Sequence, residues 1–273
     1  MRLYVLDLGR MHMDRSLIVA KWRLASSSDP TPPAQFVEFP VPGFYIDHPD
    51  GGILFDTGCH PDCMGPDGRW PHEFQEHFPY SGGAENSVVA QLARIDVAPE
   101  QVRTIVLSHL HNDHSGGLEF FPNARVVVHA DELSACLLAY ARGDRDGPYI
   151  WDDTDHWVKL GLDFQPVERA APDFELQTGV RVLNFGPGHA AGMLGLHLSL
   201  RGSGDLIIAS DTIYCAENYG PPARAAGVLV DSVGYLATVE RIRKLAKQTG
   251  AQVWFGHDGA QFRQLRKAPE SYN

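Results

Sequence analysis

The sequence predicts a layered α/β fold, and three observations carry that expectation. Short apolar runs of strand character alternate with helical stripes through most of the 273 residues. Several of those runs end in a histidine or an aspartate, where layered folds place functional groups. One long stretch, Ser232 to Gln248, spaces Leu236, Val239, Ile242 and Leu245 three apart, which is the stripe of a helix packed on a sheet.

Residues 2–8, 17–23, 36–39, 43–47 and 52–56 read as strands of a first sheet. Between them, Asp29-Pro-Thr-Pro-Pro33 is a loop, because consecutive prolines cannot occupy a central strand. A helix is expected over about 86–95, then a strand over 103–108. Residues 125–129 form a further strand, and Asp131 to Arg142 a helix ending near Gly143. The stretch from about 143 to 175, rich in Asp, Gly and Pro, reads as irregular. Strands return near 180–185, 194–200 and 205–210. The helix from Ser232 takes Asp231 or Ser232 as its cap and Gly250 as its exit. No repeat and no low-complexity linker divides the chain, so residues 1–273 are expected to form one domain.

Composition fits a soluble enzyme: 44% hydrophobic residues furnish a core and 21% charged residues an ordinary surface. The net charge of −11 argues against a nucleic-acid partner, which would require clustered Lys and Arg. No apolar stretch approaches the roughly 18 residues of a membrane span, and the N-terminal Met1 to Leu8 reads as a strand rather than a signal peptide. A cytoplasmic location is therefore expected, with Cys59, Cys63, Cys136 and Cys215 as reduced thiols. Cys59 and Cys63 lack the second ligand pair of a structural zinc site, and packing or pocket lining is the expected role.

Chemistry concentrates in Ser108-His-Leu-His-Asn-Asp-His-Ser-Gly-Gly117, directly after the apolar run Ile105-Val106-Leu107. Imidazoles and carboxylates are ligands for borderline divalent metals such as zinc. In extended backbone alternate side chains share a face, so His109 and His111 reach one ion together. A turn into a helix then aims Asp113 and His114 at a second ion. Burying such a cluster without metal would strand polar groups. Three further candidates close apolar strand patterns downstream: His189 after Gly188, Asp211 after Leu206 to Ser210, and His257 after Val253 to Gly256.

The order His-x-His-x-Asp-His, Gly-His, Ser-Asp, Gly-His resembles the metallo-β-lactamase fold superfamily in its dinuclear hydrolase form, and Ile53 to Gly58 matches that superfamily's early strand-Asp-Thr-Gly turn. Within it, Ser108 to His114, Asp211-Thr-Ile-Tyr214, Phe255 to Asp258 and the loop from Asp56 to Gly65 are similar to the N-acyl-homoserine lactone lactonases. The resemblance implies an αβ/βα four-layer sandwich. It also implies two divalent ions, zinc foremost with cobalt, manganese or iron as alternatives. His109, His111 and His189 would hold one ion, and Asp113, His114 and His257 the other, with Asp211 bridging. It further implies lactone opening by a hydroxide shared between the ions, with Tyr214 at the substrate carbonyl and Asp113 carrying a proton to the leaving oxygen.

Asp56 is expected either to orient a ligand imidazole or simply to form its turn. Ala226 and Gly227 fall where that family leaves room for the homoserine ring, and Asn112 is polar where some members carry a large apolar residue. Met11, Met13, Trp70, Phe74, Phe78 and Tyr80 are candidates for an apolar acyl channel. The expected partner is a small lactone, with the protein a monomer or homodimer. A glyoxalase II-like thioesterase is the alternative, but no basic cluster for glutathione is evident. A β-lactamase would lack the carboxylate of Asp211, the superfamily's redox branch needs a flavin domain, and a metal-sensing module would not need Tyr214.

Overall fold

Alternation along single strands divides the side chains between two cores. In the computed structural model, which describes all 273 residues, Leu3 and Val5 of strand β1 (Arg2–Asp14) enter one apolar cluster, and Tyr4, Leu6 and Leu8 enter another. Strands β2 (Phe36–Asp47) and β3 (Gly52–Phe55) follow the same rule, with Ile53 and Phe55 on one side and Leu54 on the other. These strands form an eight-stranded sheet with β4 (Tyr80–Ser81), β5 (Val102–Val106), β6 (Arg125–His129), β7 (Asp163–Val167) and the C-terminal β13 (Ser271–Tyr272). A five-stranded sheet holds β8 (Phe174–Gln177), β9 (Val180–Gly186), β10 (Met193–Leu200), β11 (Gly204–Ile208) and β12 (Gln252–Trp254).

One cluster lies between the sheets: Leu194, Leu196 and Leu198 of β10 join Phe44, Ile46 and Val106 of the first sheet. The other lines the helix-covered faces, where Tyr235, Val239 and Ile242 of the long helix bury their stripe with Leu183 and Ile207. The helices are α1 (Arg15–Ile18), α2 (His72–His77), α3 (Val88–Ala93), α4 (Asn112–Ser115), α5 (Ala130–Arg142), α6 (Trp151–Leu160), α7 (Ala216–Tyr219), α8 (Ser232–Thr249) and α9 (Gly259–Gln264). Two sheets with helices outside is the expected sandwich. No helix is long and apolar enough to cross a membrane.

Capping makes α8 and α5 legible. Asp231 accepts the N–H groups of Val233 and Gly234, and Gly250 and Gly143 close their helices in left-handed conformation. Residues 17–23, expected as a strand, instead hold the end of the short helix α1 and the turn after it, and Asp14 caps that helix by accepting the Ser16 N–H at 2.8 Å. The expected strands at 36–39 and 43–47 are one, β2, which runs through Pro40 and Pro42 beside an irregularity in β1 between Asp7 and Arg10. The stretch 143–175 is not irregular but holds α6, β7 and β8. Its helix carries Asp152, Asp153, Asp155 and His156, which mask the apolar stripe, and its strands are mostly solvent-facing edge strands.

Strands β3, β5 and β6 run parallel, as do β11 and β12. Open α/β sheets place ligands beyond the carboxyl ends of such strands. That is where Asp56, His109, Asp211 and His257 emerge.

Candidate metal centre

The backbone after β5 bends at Ser108, is extended at His111, the N-cap of α4, and then turns helical at Asn112. That change of geometry brings Asp113 and His114 round to the side reached by His257, while His109 and His111 face His189. Three groups of ligand atoms result, each within 4.8 Å of one another: His109 with His111 and His189, His109 with His114 and Asp211, and Asp113 with His114 and His257. All seven side chains are buried.

Asp211 stands between the two halves. Its Oδ1 lies 2.9 Å from His257 Nε2 and 3.3 Å from His114 Nε2, and its Oδ2 lies 3.5 Å from His189 Nε2 and 3.9 Å from His109 Nε2. The bend after β12 needs Gly256, since a Cβ there would sit 2.7 Å from Asp211 Oδ1 and 2.8 Å from the Ser210 backbone.

Outer hydrogen bonds assign the ring protons. His114 Nδ1 donates to Asp56 at 2.9 Å, His257 Nδ1 to the Pro40 carbonyl at 2.8 Å, and His189 Nδ1 to the Val228 carbonyl at 3.1 Å. Ser108 Oγ donates to Asp56 at 2.9 Å and so accepts from His109 Nδ1 at 3.0 Å. Each Nε2 then presents a lone pair inward. His189 Nε2 and His111 Nδ1 face each other at 2.9 Å, within hydrogen-bond reach, with His111 free to hold its proton on either nitrogen.

The unmet demand is specific. Buried Nε2 atoms of His109, His114 and His257, and Oδ1 of Asp211, have no hydrogen-bond partner. Orphaned buried polar atoms are rare and call for an ion or a partner. Burial lowers the pKa of His109, His111 and His189, keeping them neutral and able to ligate. Burial also opposes charge on His257 and His114, yet Asp211 and Asp113 outweigh it and raise both. The field that favours a proton there equally favours a divalent cation, so the donor set fits metal.

Asp56 orients His114 and also accepts the Ser108 N–H at 2.8 Å. It does so from a left-handed backbone, φ 60°, and Ser210, which donates to it, has φ 48°. Such strain in non-glycine residues is held by surrounding bonds and clusters at functional sites.

A cavity of about 230 Å³ opens onto the cluster, lined by Met11, Met13, Phe74, Phe78, Asn112 and Tyr214 among others. The Tyr214 hydroxyl lies 3.3 Å from His189 Nδ1. Trp70 and Tyr80, grouped with the channel candidates, pack behind it: Trp70 is buried, and the Tyr80 hydroxyl donates to the Leu8 carbonyl. Val228, rather than Ala226 or Gly227, faces the cavity, because Gly227 packs on the Ser16 and Leu17 backbone. Cys59 and Cys63 are buried free thiols, and burial pushes Cys63 up to about 12, so they pack rather than ligate.

Sequence reasoning missed Glu132 and Tyr149. Glu132, buried on α5, accepts the N–H of Leu110 at 3.0 Å and of Gly192 at 3.3 Å, tying together the loops that carry His109 and His189. Burial raises its carboxyl to about 7. Tyr149 meets His111 edge-on, with ring centroids 5.5 Å apart. An acid in the first turn of a helix looks like ordinary dipole compensation, so no local signal distinguishes Glu132.

Residues 37–257 match the model of the metallo-beta-lactamase superfamily. A protein of Rhizobium rhizogenes named N-acyl homoserine lactonase AiiB is 42% identical over 271 residues, covering 99% of this chain and 98% of that one. One from Azorhizobium caulinodans named N-acyl homoserine lactonase AttM is 32% identical, covering 86% and 88%. The solved structure of an N-acyl homoserine lactone hydrolase with the product N-hexanoyl-L-homoserine at its catalytic metal center superimposes with a TM-score of 0.80. It is 25% identical and the match covers 100% of this chain and 98% of that one.

Proposed function

The chain belongs to the metallo-beta-lactamase superfamily, within its N-acyl homoserine lactonases, and from that premise we propose that it hydrolyses the lactone ring of N-acyl homoserine lactones. The observation that carries the reading is the seven-ligand cluster at the floor of an apolar cavity with Tyr214 in its wall. His109, His111 and His189 would hold one divalent ion and Asp113, His114 and His257 a second, with Asp211 shared. Zinc suits this N/O donor set, which cobalt, manganese and iron share. Held by these residues, such ions would supply Lewis acidity, which makes water more acidic and polarises a carbonyl group.

Hydrolysis adds a hydroxyl to the lactone carbonyl carbon and a proton to the ring oxygen that departs. Burial raises the pKa of Tyr214, so its phenol stays protonated and donates to the oxygen on which charge develops. Asp113, with Oδ2 3.5 Å from both His114 and His257, carries the proton to the departing oxygen. The product is the open N-acyl-homoserine, and the biological consequence is loss of an acyl-homoserine lactone signal, or quorum quenching.

Tyr214→Phe is expected to lower kcat about tenfold, roughly 1.4 kcal/mol, because metal shares the oxyanion work. Metal content should stay at the wild-type level, and the loss should be smaller on an activated aryl ester. Equal kcat on the lactone would remove Tyr214 from the reaction.

A glyoxalase II-like thioesterase is disfavoured because no Lys or Arg lines the cavity to meet glutathione carboxylates. Comparing kcat/KM on N-hexanoyl-homoserine lactone and S-lactoylglutathione tests the assignment. The lactone should win by about 100-fold or more, since burying a substrate's charged groups without partners is costly. Preference for the thioester would overturn the lactonase reading.

A further inference from the structure

Asn112 is the one side-chain amide in the cavity wall, and its hydrogen-bonding capacity is almost unused. It is 4% exposed, at the first position of α4 between His111 and Asp113. Its backbone N–H is spent on the Pro148 carbonyl at 3.0 Å. Its Nδ2 has only the Met11 thioether at 3.8 Å, a weak acceptor, and no protein donor reaches Oδ1. Oδ1 is not among the fully buried orphaned atoms, so it opens onto the cavity and is left for whatever fills it. Away from the histidine cluster the wall is made mainly by Met11, Met13, Phe74, Phe78 and Pro148, with Asp146 as its one carboxylate.

An amide kept in such a wall points to a polar atom that arrives with the substrate. On the lactonase reading, on which this inference rests, the lactone carbonyl meets the histidine cluster and Tyr214, so the acyl arm leaves along the Met and Phe side chains. Asn112 adjoins the cluster in sequence and therefore meets the first atoms of that arm rather than its tail. A run of CH₂ groups laid across it would seal the amide against hydrocarbon. A keto or hydroxyl oxygen on the β-carbon would pair with it, since the amide both donates and accepts. We propose that Asn112 selects N-acyl homoserine lactones whose acyl chain carries an oxygen at the β-carbon.

The test measures kcat and KM for N-hexanoyl- and N-(3-oxohexanoyl)-homoserine lactone in the wild type, Asn112→Leu and Asn112→Ala, with metal content checked in each. The wild type should favour the keto substrate by about tenfold in kcat/KM, the worth of one buried hydrogen bond. Both variants should bring that ratio to about one, chiefly through a raised KM on the keto substrate, as expected for a bond made equally in ground and transition states. A wild-type ratio near one, or a ratio retained in either variant, overturns the role of Asn112 and leaves lactonase activity standing. An equal loss on both lactones would assign Asn112 to the amide link and likewise overturn it. Hydrolysis of neither lactone by the wild type would overturn the lactonase reading and this inference with it.

Discussion

Asp211→Asn is expected to lower kcat/KM by about 10³-fold and to deplete bound metal. The carboxylate serves both halves of the cluster, with Oδ1 toward His257 and His114 and Oδ2 toward His189 and His109. Burial opposes its charge, yet His257 and His114 hold its pKa well below the usual carboxylate range, so it is an anion at neutral pH. An amide of the same shape keeps one carbonyl oxygen and turns an N–H toward the other half. That half loses its anion and gains a donor facing lone pairs. Loss of an outer partner alone costs about 10–100-fold in metal affinity or activity, and loss of a shared ligand should exceed it. Activity assays with metal analysis check the prediction, and a variant with full occupancy and wild-type rate would remove Asp211 from the centre.

Asp56→Ala should cost about 3 kcal/mol of stability and lower metal affinity about 10–100-fold. Four bonds converge on this carboxylate, from the Ser108 N–H, the Ser108 hydroxyl, His114 Nδ1 and the Ser210 hydroxyl. Alanine would strand the buried Ser108 N–H and retain a left-handed backbone that costs it about 1–2 kcal/mol. Asp56→Asn separates the two roles. Asparagine tolerates that backbone and keeps an acceptor for the N–H, but it cannot supply an anion behind His114. Thermal unfolding of the metal-free protein should therefore recover in Asn while metal affinity stays weakened. Equal metal affinity in Asp56→Asn and the wild type would reduce Asp56 to a turn residue.

How far the sequence reveals this molecule depends on where each residue's reason lies. The cluster from His109 to His114 is legible because its chemistry is local: an extended segment turning into a helix sets which side chains converge. His189, Asp211 and His257 are legible as polar ends of apolar strands, though only the fold brings His189 and His257 within 3.5 Å of the Asp211 carboxylate. Helix α8 is legible from its stripe and Asp231 cap, whereas α6 is not, because Asp153 and Asp155 occupy buried positions on its inner face. Asp153 is buried there against Arg69, which comes from 84 residues earlier in the chain. Glu132 escapes for the same reason: its partners, Leu110 and Gly192, lie 22 and 60 residues away.

Metal content of the purified, fully active protein tests the central claim most directly. Seven buried candidate ligands are too many for one tetrahedral ion, so the expected result is close to two divalent ions per chain. Chelation should abolish lactone hydrolysis, and activity should return in proportion to both ions. Full activity with one ion per chain, or undiminished activity after both are stripped, would contradict the account.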